Sequence, residues 1–235
     1  MRKTDYESKV IVLKKNIDDG DAREIIEQKK TSVFRKLLKK PKAEEVHLHS
    51  LKLNYESIFM ISGTYSADYF RKAVHPIKVD YTVKEVVLGE GVFPIKTKSK
   101  IQKTLSSKKG KNNVELQLEE HVFINEEGTI YFDHHGQEIK FPFKLDSKSV
   151  ENYPLRILDT NDDNVKKPEL TKDAAIQRIT EKLKIPSKTD VRDLKDEMAI
   201  NEISEIYVPI YEARLIGPKK RVGILRIDAV RKKIL

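Results

Sequence analysis

The chain contains no cysteine and no tryptophan, and each absence excludes a class of function. Without cysteine there is no disulfide framework, no thiolate zinc site and no cysteine nucleophile, which is compatible with a reducing compartment. Without tryptophan, and with most tyrosines in strand-like segments, few aromatic side chains remain to stack on bases. Sequence-specific recognition of single-stranded nucleic acid is therefore not favoured.

Long apolar runs are missing as well. No stretch approaches the roughly 18 apolar residues that cross a bilayer, and the residues after Met1 lack the apolar region of a signal peptide. We expect a cytoplasmic protein with no integral membrane association.

Motifs of catalysis and of cofactor binding are also absent. Gly89-Glu90-Gly91 lacks the third glycine of a dinucleotide loop, and Gly110-Lys111-Asn112 lacks the first glycine and the hydroxyl residue of a phosphate-binding loop. No serine lies in a glycine-flanked elbow. We therefore expect a protein that is not an enzyme and carries no cofactor.

Positive charge is what the chain has in excess. Its 235 residues include 46 Lys and Arg against 37 Asp and Glu, which gives a formal charge of +9 and a pI near 9.3. A charge of this sign suits an acidic partner, and it does not choose between nucleic acid, an anionic membrane surface and an acidic protein.

The segment from Val46 to Phe70 alternates apolar and polar residues over the longest distance, and it predicts the central strands of an antiparallel sheet. The alternation changes parity near Ser50, which favours a bulge over a strand buried on both faces. Glu56-Ser57 is a plausible turn. About seven or eight strands are predicted between Val46 and Leu145, enough for a sandwich or a curved sheet.

The remaining patterns complete an α+β protein. We expect an N-terminal arm at 1–43 with a basic amphipathic helix at 22–40, an antiparallel β domain at 44–150, a linker at 151–170 and a small α+β domain at 171–235. That last domain would hold a helix from Thr171 to Leu183, a second helix starting between Ser187 and Thr189, and a hairpin that turns at Gly217-Pro218-Lys219-Lys220.

The C-terminal helix DAAIQRITEKL and the strands YVPIYEARLIG and RVGILRIDAV resemble the helix-on-sheet modules of the PepSY and cystatin-like families. The resemblance covers about 65 residues. It implies a fold and a tendency towards binding or inhibitory modules, and no inhibitor motif accompanies it.

Lysines cluster in two segments that could contact phosphates. A helix dipole explains part of the first cluster and a mobile, solvated loop would explain the second. Arg226, Arg231, Lys232 and Lys233 could extend the same surface. The candidate nucleic-acid-binding residues are Lys36, Lys39, Lys40, Lys98, Lys100, Lys103, Lys108, Lys109 and Lys111.

Histidines occur in two close pairs, His47 with His49 and His134 with His135. Residues two apart on a strand share a face, so the pairs would form a metal site only if their strands came together. No spacing matches a zinc signature, and no metal is assigned.

The sequence thus leaves three functions open. The first is a non-enzymatic protein that engages nucleic acid through its phosphates. The second is a protein-interaction adaptor or scaffold subunit that docks partners on exposed strand edges and on an acidic helix at 190–197. The third is peripheral membrane association through the 22–40 helix.

Overall fold

The computed structural model describes residues 6–35, 40–95, 112–184 and 191–235. The helices in these ranges are α1 (Asp19–Lys29), α2 (Pro154–Thr160) and α3 (Lys172–Leu183), and short 3₁₀ segments cover Lys30–Phe34, Ala43–Glu45 and Asp162–Asn164. The strands are β1 (Glu7–Val12), β2 (His47–Val79), β3 (Glu85–Leu88), β4 (Gly91–Pro94), β5 (Asn112–Phe132), β6 (Glu138–Ile139), β7 (Val165–Lys166), β8 (Val191–Gly217), β9 (Arg221–Asp228) and β10 (Lys233–Ile234).

Two compact units divide the chain, and neither is a consecutive segment. The first unit combines Met1–Thr64, Glu127–Lys184 and Met198–Leu235, and the second combines Tyr65–Glu126 with Ile185–Glu197. Strands β2, β5 and β8 each contribute residues to both units. Each unit therefore combines separate stretches of the chain, whereas the predicted domains at 1–43, 44–150, 151–170 and 171–235 are consecutive segments.

The main sheet is largely antiparallel, which confirms the α+β class. Its strand order is β10-β9-β8-β2-β5-β6, and two further strands pair in parallel, β1 with β8 and β7 with β2. The predicted hairpin at the C-terminal end is present as β8 and β9, with Gly217 opposite Arg221. It belongs to the same sheet as the central strand.

Helix α1 covers the β8–β9 hairpin in the first unit. Asp18 caps its N-terminus by accepting the backbone N–H of Asp21, and Ala22 and Ile26 point into a core that includes Leu215 and Ile227. The helix ends at Lys29, a 3₁₀ segment follows to Phe34, and Arg35 is extended. The prediction of one helix over 22–40 is therefore wrong within the described residues, because Phe34 turns into the core.

The helix from Thr171 to Leu183 was expected to pack on this hairpin. In the structure α1 takes that place, while α3 packs elsewhere. Ala175 and Ile179 of α3 contact a core cluster on three strands, which contains Phe59, Ile130 and Ile203. A good N-cap at Thr171 starts this helix, as predicted.

Strand β2 is buried on both faces from Asn54 to Ile61. Phe59 and Ile61 face the cluster under α3, whereas Ile58 and Met60 belong to a separate cluster with Val208 and Ile210. The turn predicted at Glu56-Ser57 is wrong, because the strand continues through it. In a strand that is buried on both faces, apolar and polar residues do not alternate regularly. The sequence pattern therefore did not distinguish a continuous strand from a turn at this position.

Two other predicted elements differ from the structure. The segment from Val191 to Met198, predicted as a helix, is the start of strand β8. The predicted linker at 151–170 contains helix α2 and strand β7, and Ile157, Leu158 and Val165 pack against a buried cluster of Val12, Tyr55 and Tyr207. Their apolar side chains therefore anchor this segment to the core of the first unit.

The second unit contains neighbouring parts of β2 and β5 that run in opposite directions. Ser66 Oγ donates a hydrogen bond to Asn125 Oδ1, and Arg71 Nε donates one to Glu120 Oε2. A separate two-stranded hairpin, β3 with β4, pairs Val87 with Val92. Within the ranges that the structure describes, no helix has the length and apolarity needed to cross a membrane.

Candidate functional site

Most of the predicted phosphate-binding lysines lie outside the described residues: Lys36, Lys39, Lys98, Lys100, Lys103, Lys108, Lys109 and Lys111. Lys40 is described, and it is exposed on the segment between the Lys30–Phe34 turn and strand β2.

A basic surface nevertheless forms where the 3₁₀ segment after α1 meets the β8–β9 turn. The ring of Phe34 lies on two glycines of the hairpin: a Cβ added at Gly217 would come within 2.7 Å of it, and one added at Gly223 within 2.9 Å. Val33 contacts the same part of the hairpin, because its Cγ1 lies 2.6 Å from the position of a Cβ added at Gly223. The two glycines therefore allow the segment to approach the turn so closely.

The β8–β9 turn itself consists of Pro218, Lys219 and Lys220. Arg221 donates its backbone N–H to the carbonyl of Pro218, and both lysines have positive φ, 57° and 56°. Two central residues of positive φ make a turn of type I′, which usually holds Asn-Gly. Lysine adopts this left-handed conformation only with strain, so the chain keeps two cations at a position where its backbone disfavours them.

Four cationic side chains are gathered at this end of the first unit, and we call them the basic end: Arg35, Lys219, Lys220 and Arg221. Arg35 follows Phe34 directly, and the Arg221 guanidinium lies 5.9 Å from the centre of the Phe34 ring. Among the described residues, no carboxylate lies within 4.0 Å of the charged groups of Lys219, Lys220 or Arg221. The sequence analysis missed these three residues, although three consecutive cations in a tight turn were a usable signal.

The C-terminal arginines proposed for the same surface are engaged elsewhere. Arg226 Nη2 donates to Glu56 Oε2, and Arg231 Nε lies 2.6 Å from Asp228 Oδ2. Both charges are paired within the fold, so the contribution of Arg226 and Arg231 to a phosphate-binding surface stays a prediction.

Glu56 is the centre of a charge cluster on the sheet. It is 8% exposed, Lys166 Nζ lies 2.8 Å from its Oε1, and Arg226 binds its other oxygen. Glu212 lies 3.9 Å from both cations and adds a second carboxylate. Burial raises the pKa of the Glu56 carboxyl, but Lys166 and Arg226 outweigh burial and hold it below its ordinary value.

His134 faces the same cluster, with its Nδ1 3.9 Å from Glu56 Oε2. Burial lowers the pKa of His134, and this effect outweighs the opposing attraction of Glu56. The ring centres of His134 and His135 are 3.9 Å apart, and His135 Nδ1 lies 3.1 Å from Glu169.

The two histidine pairs remain without a metal assignment. His47 and His49 are exposed at the start of β2. Across the described ranges, no three His, Asp or Glu side chains are grouped closely enough to hold a metal ion.

Comparisons with protein-family models, with curated proteins and with solved structures found no match to this chain. The likeness to PepSY and cystatin-like modules therefore stays a prediction, and any argument about function depends on the geometry of the chain itself.

Proposed function

We propose that the protein binds nucleic acid through its backbone phosphates, and that the basic end is part of the contact surface. The observation that carries the proposal is the strained turn: Lys219 and Lys220 both hold positive φ and have no acidic partner among the described residues. Backbone strain persists where the surrounding structure enforces it, and it concentrates at functional positions.

The packing of Phe34 on Gly217 supports the same proposal. It brings a second chain segment, which ends in Arg35, beside the turn, so cations from two distant parts of the sequence share one surface. Lys219, Lys220 and Arg221 have no carboxylate within 4.0 Å among the described residues, so placing them side by side is electrostatically unfavourable in the free protein, and a polyanion relieves that repulsion. Contacts of this type position the protein on a duplex without reading base sequence.

The experiment is a fluorescence-anisotropy titration of labelled duplex DNA at several salt concentrations. Each phosphate contact contributes about 0.9 to the slope of log affinity against log salt, so loss of two contacts should flatten the slope by about 1.8. We expect this flattening for Lys219→Ala, Lys220→Ala. The variant Lys219→Asn, Lys220→Gly removes the same charges and suits the turn conformation, so it should behave identically.

A charge-matched control separates the turn from general basicity. Lys148 and Lys172 are exposed in the first unit, outside the basic end. The double variant Lys148→Gln, Lys172→Gln loses the same net charge and should retain the wild-type slope. Equal losses in all three double variants, or no salt-dependent binding of the wild type, would contradict the proposal.

The lysines at 96–111 are tested separately. Changing Lys108, Lys109 and Lys111 to Glu should weaken binding if this segment neutralises phosphates, as its sequence predicts. Additivity with the turn variant would indicate two independent parts of one contact surface.

Peripheral membrane binding is less well supported than nucleic-acid binding. The apolar side chains Ala22 and Ile26 of α1 are fully buried against β8 and β9, so they cannot insert into a lipid surface while the fold is intact.

Protein interaction is a second candidate, and the β3–β4 hairpin favours it. Val87, Leu88 and Val92 are 62%, 55% and 56% exposed. A two-stranded hairpin is marginally stable in water, and an apolar surface of this kind is typical of a docking site. The acidic helix predicted at 190–197 is wrong over Val191 to Glu197, which is part of a strand, so the β3–β4 hairpin carries this candidate.

The second candidate is tested by affinity purification in parallel from wild type and from Val87→Ser, Val92→Ser. A partner that is retained at high salt by the wild type and lost by the variant would support it. The variant should still bind DNA as the wild type does, so the two candidate functions are separable.

A further inference from the structure

A cavity of about 480 Å³ opens on one face of the main sheet, entirely within the first unit. Strands β2 and β8 form its floor with Ile58, Val208 and Ile210. The chain segment from Asp133 to Phe143 forms its opposite wall. This volume lies inside the range of about 300–1,000 Å³ that is usual for small-molecule sites.

The apolar part of the cavity is fixed by packing before any ligand arrives. The ring of Phe143 meets Phe141 edge-on at 5.5 Å between centres, and the Arg231 guanidinium lies 5.0 Å from the centre of Phe143. Phe141 in turn stacks on Tyr131 at 4.5 Å. A wall held in this way loses little conformational freedom on binding.

The two buried carboxylates that line the cavity, Glu56 and Asp228, are already neutralised by cations of the fold. Glu56 is held by Lys166 and Arg226. Asp228 is held by Arg231, and its Oδ1 accepts two backbone N–H groups. Lys140 also lines the cavity, but it is exposed, so water screens its charge. A charged ligand that reached the buried groups would lose its hydration without gaining an unpaired counterion there, which is unfavourable.

The wall also presents the imidazole ring of His134, which is polar and uncharged. His134 lines the cavity, with 15% of its side chain exposed, and its lowered pKa keeps the imidazole neutral near pH 7. Its Nε2 forms no hydrogen bond within the described part of the chain, whereas its Nδ1 is directed towards Glu56. A neutral imidazole can accept or donate one hydrogen bond.

We propose that this cavity binds a small uncharged molecule with a mainly apolar body and one hydrogen-bonding group, which His134 recognises. The apolar floor and Phe143 enclose the body of the ligand. The proposal is independent of nucleic-acid binding by the basic end.

The test uses the uncharged dye N-phenylnaphthylamine, whose amine can donate to His134, and its sulfonated analogue anilinonaphthalene sulfonate. Fluorescence titration of the full chain should give saturable binding of the uncharged dye at one site. The sulfonate should bind about tenfold more weakly or worse, since Arg226 and Arg231 are already paired with carboxylates and the exposed Lys140 is screened by water. Equal or tighter binding of the sulfonate would overturn the charge argument.

Two variants locate the site. Ile139→Trp places a larger side chain in the wall of the cavity and should weaken dye binding by about tenfold or more, because it fills the space that the dye needs. The matched control Val222→Trp adds the same ring at an exposed position of β9 and should leave binding unchanged. If both variants bind the dye as well as the wild type, the cavity is not the site.

Methyl NMR of the wild-type protein tests the site without relying on the folding of the variants. Adding the uncharged dye should shift the methyl signals of Ile58 and Ile210, which line the cavity, and leave the signals of Ile224, an exposed residue of β9, unchanged. Shifts at Ile224 as large as those at Ile58 and Ile210 would overturn the proposal.

Discussion

Phe34 lies against Gly217 so closely that a single added methyl group would collide with its ring, at 2.7 Å from both Cδ1 and Cε1. Gly217 has an extended backbone, with φ of −109°, which any residue can adopt. The requirement for glycine here is therefore steric, and the three atoms nearest to an added Cβ all belong to Phe34.

Gly217→Ala should destabilise the first unit. Overpacking of a filled site costs about 1–3 kcal/mol, and Phe34, which is 5% exposed, is packed within the core. The free energy of unfolding in urea measures the loss. The double variant Gly217→Ala, Phe34→Leu should recover part of it, because a smaller side chain faces the new methyl group; strictly additive losses would contradict the steric explanation.

Relieving the strained turn should stabilise the protein. Lys219→Asn, Lys220→Gly places residues that tolerate positive φ in the type I′ turn, and we expect a gain of about 1 kcal/mol after the added flexibility of glycine in the unfolded chain is offset. Lys219→Ala, Lys220→Ala removes the same charges and keeps the strain, so it should show no gain. If the alanine variant is stabilised equally, charge repulsion rather than backbone strain is the cause.

Glu56→Gln should be strongly destabilising for a single isosteric change. It removes the nearest carboxylate from Lys166 and Arg226 and leaves them only Glu212, at 3.9 Å. Breaking a buried pair costs about 3–5 kcal/mol; both cations are one-third exposed or more and keep this second carboxylate, so we expect about 2–3 kcal/mol. Urea unfolding at pH 7 is the measurement. The matched control is Glu120→Gln, whose side chain is 26% exposed against 11% for Glu56, so the loss of its ion pairs should matter far less.

Lowering the pH should reduce the free energy of unfolding, and His134 should account for part of that loss. Its pKa in the folded protein lies below the ordinary value of 6.5, so the unfolded chain takes up a proton first as the pH drops. The contribution of His134 is complete above pH 6.5 and is lost as the pH falls from there through the folded pKa.

His134→Gln should therefore reduce the difference in unfolding free energy between pH 7 and pH 5, measured by urea titration at several pH values. His49→Gln, at an exposed position of β2, controls for the removal of one imidazole. An unchanged pH dependence in His134→Gln would contradict the assignment.

Local patterns in the sequence predicted much of the secondary structure and little of the site. The α+β class, the helix from Thr171 to Leu183 and the β8–β9 hairpin follow from periodicity, caps and turn residues, which act over a few positions. The excess of lysine followed from composition. The phosphate-binding lysines chosen from charge runs lie mostly outside the described residues, so that choice stays a prediction.

Longer-range interactions decided the rest. Glu56-Ser57 has the local character of a turn, but Lys166 and Arg226, 110 and 170 positions further along, neutralise Glu56 and allow β2 to pass through as a buried strand. The helical spacing of Val191, Leu194 and Met198 was likewise overridden, because this segment lies in strand β8, which pairs with β2.

What the sequence determined by itself is the charge, the alternation of its strands and the position of the turn at Lys219 and Lys220. Only the tertiary structure decided which cations are available to a partner. It paired Arg226 and Arg231 with carboxylates, left Lys219, Lys220 and Arg221 without one among the described residues, and packed Phe34 on two glycines beside Arg221. The physical reason is that ion pairing and close packing join residues far apart in the chain, which no local pattern records.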